Sequence, residues 1–329
     1  MMGLGLGRLG ASARGGNGAA LSLNFTTGSV PVAVTATGGT NGTRVNSSGV
    51  IVAASAGRLD YSPVSAFPSR GILVEPARTN NTRNSATLDG AGSASVGGTY
   101  VANSGVAPDG NTAAGLFTCT AAGAANCYRE LTLLTNLTTA TTYTYSVYVK
   151  AGTGRYFTLD AANDNGAAWF SATFDLQTAT VTQTSAGASG TYTSSSITDA
   201  GGGWYRVTVT GSFAAYTGVT YFELCFTDTG TPTHISFGYP TTTGAFTGTY
   251  YIWGAQVDVA STVSTYIATT AAAVTRTADQ LAFTVPAGVS TLRVTFDDAT
   301  TQDKAVSPGA LTWTSADLNK TRVTSIVSV

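Results

Sequence analysis

The segment from Gly201 to Gln280 constrains the chain most, because its apolar residues recur every second position and nowhere at helical spacing. In Trp204–Phe213, Tyr205, Val207 and Val209 fall on one face and Arg206, Thr208 and Thr210 on the other, as side chains alternate along a strand. Tyr221 to Asp228 repeats the pattern with Phe222, Leu224 and Phe226 inward. Tyr251, Trp253, Ala255, Val257 and Val259 repeat it again. Three consecutive antiparallel strands of a half-buried sheet follow, with Tyr205, Val207, Phe222, Leu224 and Trp253 expected in one shared core.

The same period extends outward. Ala113–Thr120 and Asn126–Leu131 read as an early strand pair, followed by Thr142–Lys150, Tyr156–Ala161, Ser171–Leu176, Thr178–Thr184 and Tyr192–Asp199. Short, evenly spaced strands broken by Gly and Asp turns predict an all-β chain with a two-sheet sandwich over residues 86–271. Residues 21–85 read as a small β module and linker, and residues 272–329 as a C-terminal β unit too small to bury much alone. Residues 1–20 are Gly-rich and lack a foldable pattern, so they read as a tether ordered by a partner surface through Leu4, Leu6 and Leu9.

Charge is scarce. Only 10% of the 329 residues are charged and the formal net charge is −1, against roughly 25% charged residues in ordinary globular domains. Hydroxyls and amides must therefore make the surface polar, which suits packing against copies of itself or other subunits. No clustered basic footprint supports nucleic-acid binding, and no run of apolar residues is long enough for membrane insertion by a helix. The first residues carry no signal-type hydrophobic core, so the chain reads as made without export. Cys119, Cys127 and Cys225 are too few for a disulfide scaffold. Cys119 and Cys127 could face each other across a hairpin turning at Ala121–Ala125, but cytosolic assembly would keep them reduced.

Five blocks carry a family resemblance: GILVEPARTN at Gly71–Asn80, SVYVKAG at Ser146–Gly152, GWYRV at Gly203–Val207, YIWGAQVD at Tyr251–Asp258 and TRTAD at Thr275–Asp279. In this order they resemble the structural proteins of tailed-phage head spikes and fibres. The resemblance implies a jelly-roll body similar to carbohydrate-binding modules and concanavalin-like lectins, and a non-enzymatic virion component assembled in the host cytoplasm. It further implies contact with capsid, portal or tail proteins, and a homo-oligomer, with a trimer favoured by the fibre analogy. The rival readings are a carbohydrate-binding module of a polysaccharide-processing enzyme and a depolymerising tail spike.

Catalytic and cofactor patterns are weak. Gly5–Gly10 matches G-x-G-x-x-G without the flanking strand and helix a dinucleotide site needs. His234 is the single histidine and no G-x-S-x-G occurs, which argues against a Ser-His-Asp hydrolase and a His/Cys metal site alike. No cofactor or metal is expected. Glycoside hydrolysis needs two carboxyl groups flanking the bond; the chain has three Glu, and Glu223 points away from the core with no second carboxylate evident beside it. Sugars stack on flat rings and bond to polar neighbours, so the polar sheet face with Tyr148, Lys150, Arg206 and Glu223, plus Trp169 in a loop, is the candidate glycan surface, both rings being dispensable for folding; the alternative is an ordinary solvated sheet face or a subunit contact.

Overall fold

The computed structural model describes residues 20–329 apart from 65, 124, 134–136, 139, 164–165 and 215–217, and the backbone alone of residue 132. Leu4, Leu6 and Leu9 lie outside the described residues. Thr, Val and aromatic residues at alternating positions give twenty-five strands, and the helical structure among the described residues amounts to two single 3-10 turns at Ser236–Gly238 and Ser315–Asp317. The N-terminal strands are β1 (Ser22–Asn24), β2 (Val34–Thr37), β3 (Gly42–Val45), β4 (Ile51–Ala54), β5 (Leu59–Tyr61), β6 (Ser69–Leu73) and β7 (Arg78–Asn80). The central strands are β8 (Ala94–Val96), β9 (Gly98–Val106), β10 (Thr112–Ala121), β11 (Tyr128–Thr132), β12 (Tyr143–Ala151), β13 (Tyr156–Asn163), β14 (Trp169–Asp175), β15 (Thr180–Ala186), β16 (Gly190–Gly201), β17 (Trp204–Phe213), β18 (Thr220–Thr227) and β19 (Phe246–Asp258). The C-terminal strands are β20 (Val274–Arg276), β21 (Gln280–Val285), β22 (Thr291–Phe296), β23 (Thr301–Ala305), β24 (Gly309–Thr314) and β25 (Arg322–Ser328).

The central strands make a jelly-roll-like sandwich of two antiparallel six-stranded sheets, ordered β16-β17-β12-β19-β10-β9 and β15-β14-β13-β18-β11-β8. Their inner faces meet through Tyr145, Val147, Val207 and Val209 from the first sheet and Phe157, Phe170, Phe222 and Leu224 from the second. Tyr145 lies edge-on to Phe222 at 5.1 Å, a favoured aromatic geometry. The pair expected from Ala113 to Leu131 is not a hairpin, since β10 and β11 belong to opposite sheets. Cys119 and Cys127 are bonded there, with Cα atoms 5.9 Å apart, so this bridge staples the two sheets across their shared core rather than leaving two idle thiols.

The two terminal segments are interleaved in a single unit. β1 pairs with β25 (Leu23 opposite Ile326), β2 with β21 and β6 with β25, and one core joins Leu23, Phe25 and Ile72 to Phe283, Trp313 and Ile326. The chain leaves this unit along β7 and returns along β20, which pair antiparallel with Arg78 opposite Arg276. A two-stranded neck thus carries the sandwich, formed by the end of GILVEPARTN (Arg78–Asn80) and the start of TRTAD (Thr275–Arg276).

One expected core residue sits elsewhere. Trp253 is 1% exposed but packs with Tyr148, Trp204 and Tyr266 on the outer face of the first sheet. The cause is a bulge: Tyr148 is opposite Trp253 while Ser146 is opposite Gln256, so β19 carries one extra residue. Gly254 supplies it at φ +69°, and a Cβ there would meet the Tyr148 ring at 2.9 Å. The parity of β19 therefore flips midway, sending Tyr251 and Trp253 outward while Ala255 and Val257 remain inward. Trp253→Ala should cost about 3–5 kcal/mol in urea unfolding, and the loss should fall on the packing between sandwich and neck.

Candidate functional site

The residues expected to share a glycan surface divide between the two outer faces of the sandwich. Tyr148, Lys150 and Arg206 lie on β12 and β17 of the first sheet; Trp169 and Glu223 lie on β14 and β18 of the second. The hydrophobic core separates the two groups, so no single surface contains them.

On the first sheet, Tyr148 is only 6% exposed and contacts Trp253 and Tyr266 with its ring. The Arg206 guanidinium lies 5.2 Å from the same ring, and its Nη1 and Nη2 donate to the Ser264 carbonyl at 2.7 Å and Ser146 Oγ at 3.0 Å. Tyr148 is therefore structural packing and offers no free ring to a sugar. Lys150 Nζ donates to the Gly202 carbonyl at 2.8 Å. What this face does offer is a cleft of about 270 Å³ between the sheet and the terminal unit, lined by Tyr148 and Arg206 together with Asp60, Arg70 and Arg322. The terminal unit supplies the last three, which sequence periodicity within the sandwich could not reveal.

On the second sheet, strand register builds a polar row. Ser171 is opposite Asp160, Asp160 opposite Glu223, and Glu223 opposite Glu130, so four outward side chains align across β14, β13, β18 and β11. Glu223 thus has carboxylate neighbours on both sides, contrary to the sequence expectation. The missed signal was parity: Asp160 and Glu130 occupy the outward phase of their strands.

The loop from Thr231 to Pro240 closes over this row. It folds back through bonds from Ile235 N to Tyr239 O and from Thr241 N to Thr233 O, and Gly238 at φ +78° passes so near that a Cβ would collide with Asp160 Oδ2. His234 stacks on Trp169 at 5.3 Å with Nε2 3.3 Å from Ser171 Oγ. Trp169, expected in a loop, begins β14 and is 8% exposed; its ring is the loop's packing surface. Tyr239 stacks on Tyr128 at 4.2 Å and donates to Glu130 Oε2 at 3.3 Å.

Asp160 and Glu223 are fully buried, and among the described residues their four carboxyl oxygens have no hydrogen-bond partner of good geometry. Burial, reinforced for Glu223 by the Asp160 charge, drives both well above the usual carboxylate range. Burial thus favours the protonated over the ionised form of this facing pair. Burial, only partly opposed by a backbone hydrogen bond at Pro232, lowers His234 to about 4, so the imidazole is neutral at pH 7. Among the described residues no group of three or more His, Cys, Asp or Glu side chains is arranged to hold a metal ion.

No family model and no curated protein matches the chain. Among solved structures, the CBM22-1–GH10 modules of the Clostridium thermocellum endo-1,4-β-D-xylanase 10B, complexed with xylohexaose, are similar over 58% of this chain at 15% identity and a TM-score of 0.34. This chain spans 30% of that one. At that score the likeness assigns neither topology nor ligand here.

The carboxyl pair sets a pH dependence. Its folded pKa values lie above the unfolded values, so the folded state binds more protons between the two and stability falls as pH rises through that window. Thermal unfolding should therefore occur at lower temperature at pH 8 than at pH 5. Glu223→Gln, which gives Asp160 an amide donor, should flatten that dependence and raise the pH 8 midpoint by a few degrees, about 1 kcal/mol. An unchanged slope in the variant would show that the pair is not the titrating element.

Proposed function

We propose that this chain is a non-enzymatic structural component of a tailed-phage particle, a head fibre, spike or decoration protein, that displays its β sandwich outward and meets surface glycans weakly through it. One observation carries the reading: three of the sequence blocks that mark the resemblance, GILVEPARTN, YIWGAQVD and TRTAD, meet at the junction of sandwich and neck, where Glu75, Asn80, Gln256, Arg276 and Asp279 are used in buried bonding. Glu75 of the first block and Arg276 and Asp279 of the last form a buried ion cluster with Arg58. Asn80 donates to the carbonyls of Ala255 and Ile267, and Gln256 Oε1 accepts from Ile267 N at 2.7 Å. Residues placed this way hold two bodies in a fixed relation, which is the work of a display protein.

Geometry also supports attachment through the terminal unit. Leu21 lies against Ser328, with Ser328 N donating to Leu21 O at 2.9 Å, so a tether preceding Leu21 departs from the terminal unit. Glycan contact on such a particle would rely on avidity, many weak sites in an oligomer acting together. The depolymerising alternative draws on Asp160, Glu223 and Glu130, but the first two are fully buried beneath the Thr231–Pro240 loop, so a polysaccharide does not reach them in this conformation.

Deleting residues 1–19 should leave a soluble body with the full-length far-ultraviolet circular dichroism spectrum, while abolishing co-sedimentation with purified particles. Antibody labelling of intact particles should place the full-length chain on their surface. Normal incorporation of the truncated chain would remove the tether from the account, and absence of the full-length chain from particles would remove the virion role.

A further inference from the structure

The cleft on the first sheet has a chemical bias. Arg322 donates through Nε to Asp60 Oδ2 at 2.7 Å, and Asp60 Oδ1 accepts from Val45 N at 2.8 Å. That buried carboxylate is thereby occupied, while Nη1 and Nη2 of Arg322 make no hydrogen bond among the described residues, and the side chain keeps 26% exposure. Arg70 binds Asp297 Oδ2 through Nε and Nη2, leaving Nη1 uncommitted, and Arg206 Nε is buried without a partner. Asp199, the remaining acid of the lining, is exposed at the rim and accepts from Gly201 N. The uncommitted donors on partly exposed lining residues are therefore guanidinium nitrogens of Arg322 and Arg70.

Shape adds a second restriction. About 270 Å³ lies just under the roughly 300–1,000 Å³ of pockets that enclose drug-sized ligands, which suits one sugar ring rather than an oligosaccharide. Val45, Ile51, Pro63 and Val263 give apolar walls beside the arginines. Guanidinium groups match planar carboxylates through paired N–H donors, and an apolar wall suits the C–H face of a ring.

We propose that this interbody cleft binds a single carboxylate-bearing sugar residue of a surface glycan, with Arg322 and Arg70 taking the carboxylate and the Val263–Pro63 wall taking the ring. This rests on the glycan-binding part of the proposed function and specifies its ligand class and location. It replaces stacking on Tyr148, whose ring is already packed, with charge recognition beside it.

The test is titration of the full chain with sodium glucuronate, glucose and sodium acetate, followed by ligand-observed NMR and calorimetry. Glucuronate should bind with a Kd on the order of millimolar, and glucose and acetate each at least about tenfold more weakly. Thr198 lines the cleft, is exposed and makes no side-chain hydrogen bond among the described residues. Thr198→Glu should reduce glucuronate binding about tenfold by like-charge repulsion without changing the unfolding temperature, and Arg70→Gln should weaken it in the same direction. Equal binding of glucuronate and glucose would overturn the acidic-sugar inference while leaving glycan binding standing. Failure of both sugars would overturn the two together. Acetate binding as tightly as glucuronate would mark a simple anion pocket, and full binding by Thr198→Glu would place the site elsewhere; either result overturns the proposal.

Discussion

Four buried charges at the neck fix the relation of every other part. Arg58, Glu75, Arg276 and Asp279 are each 4% exposed or less, and their formal charges cancel. Arg58 Nη2 binds both Glu75 Oε2, at 2.8 Å, and Asp279 Oδ2, while its Nη1 donates to the Thr43 carbonyl and Thr265 Oγ1. Glu75 also accepts from Thr265 N and Oγ1. Burial alone would raise the Glu75 carboxyl, but Arg276 and Arg58, helped by Thr265, hold it at about 2. An unpaired charge in such a place is costly, so the residues that complete the cluster must arrive together. These come from the residue just before β5, the outgoing linker, the returning strand β20 and the short link that follows it, joined by Thr265 from the segment after β19.

That constraint accounts for what lies around it. With the sandwich held against the terminal unit, the outer face of the first sheet cannot remain an ordinary solvated face; it buries Trp253, Trp204, Tyr148 and Tyr266 instead. The Gly254 bulge delivers Trp253 to that side. Where the two bodies diverge, the arginine-lined cleft remains, built half from β12, β16 and β17 and half from β3–β6, β25 and the loop residues Pro63 and Val263. The second sheet covers its polar row differently, with the Thr231–Pro240 loop closing over a buried carboxyl pair. The two faces thus differ in chemistry because only one is covered by the terminal unit.

Alternation made the all-β class and most central strands legible: Tyr205, Val207, Phe222 and Leu224 pack against or within the core that their parity assigned. Parity failed at Trp253 because one inserted residue reverses every later position, and a glycine gives no sign in a single sequence of whether it makes a bulge or a turn. The mixing of Ser22–Asn24 with Arg322–Ser328 was invisible for another reason: pairing of strands some three hundred residues apart leaves no local trace. The site suffered from both limits. Arg70 and Arg322 reach the cleft only through that long-range pairing, and Asp160 and Glu130 reach Glu223 only through cross-strand register. Tyr148 and Trp169 were assigned to a surface because neither the neck nor the Thr231–Pro240 loop could be placed from periodicity.

Calorimetry of Arg58→Met tests most directly whether the buried charge cluster couples the two bodies. The substitution keeps a long apolar stem but leaves Glu75 and Asp279 short of their central partner, a loss of about 3–5 kcal/mol for a broken buried pair. The wild-type chain should melt in one cooperative transition. The variant should melt in two, the terminal unit first and the disulfide-stapled sandwich near the original temperature. A single transition at the wild-type temperature in Arg58→Met would contradict the claim that this cluster holds the molecule together.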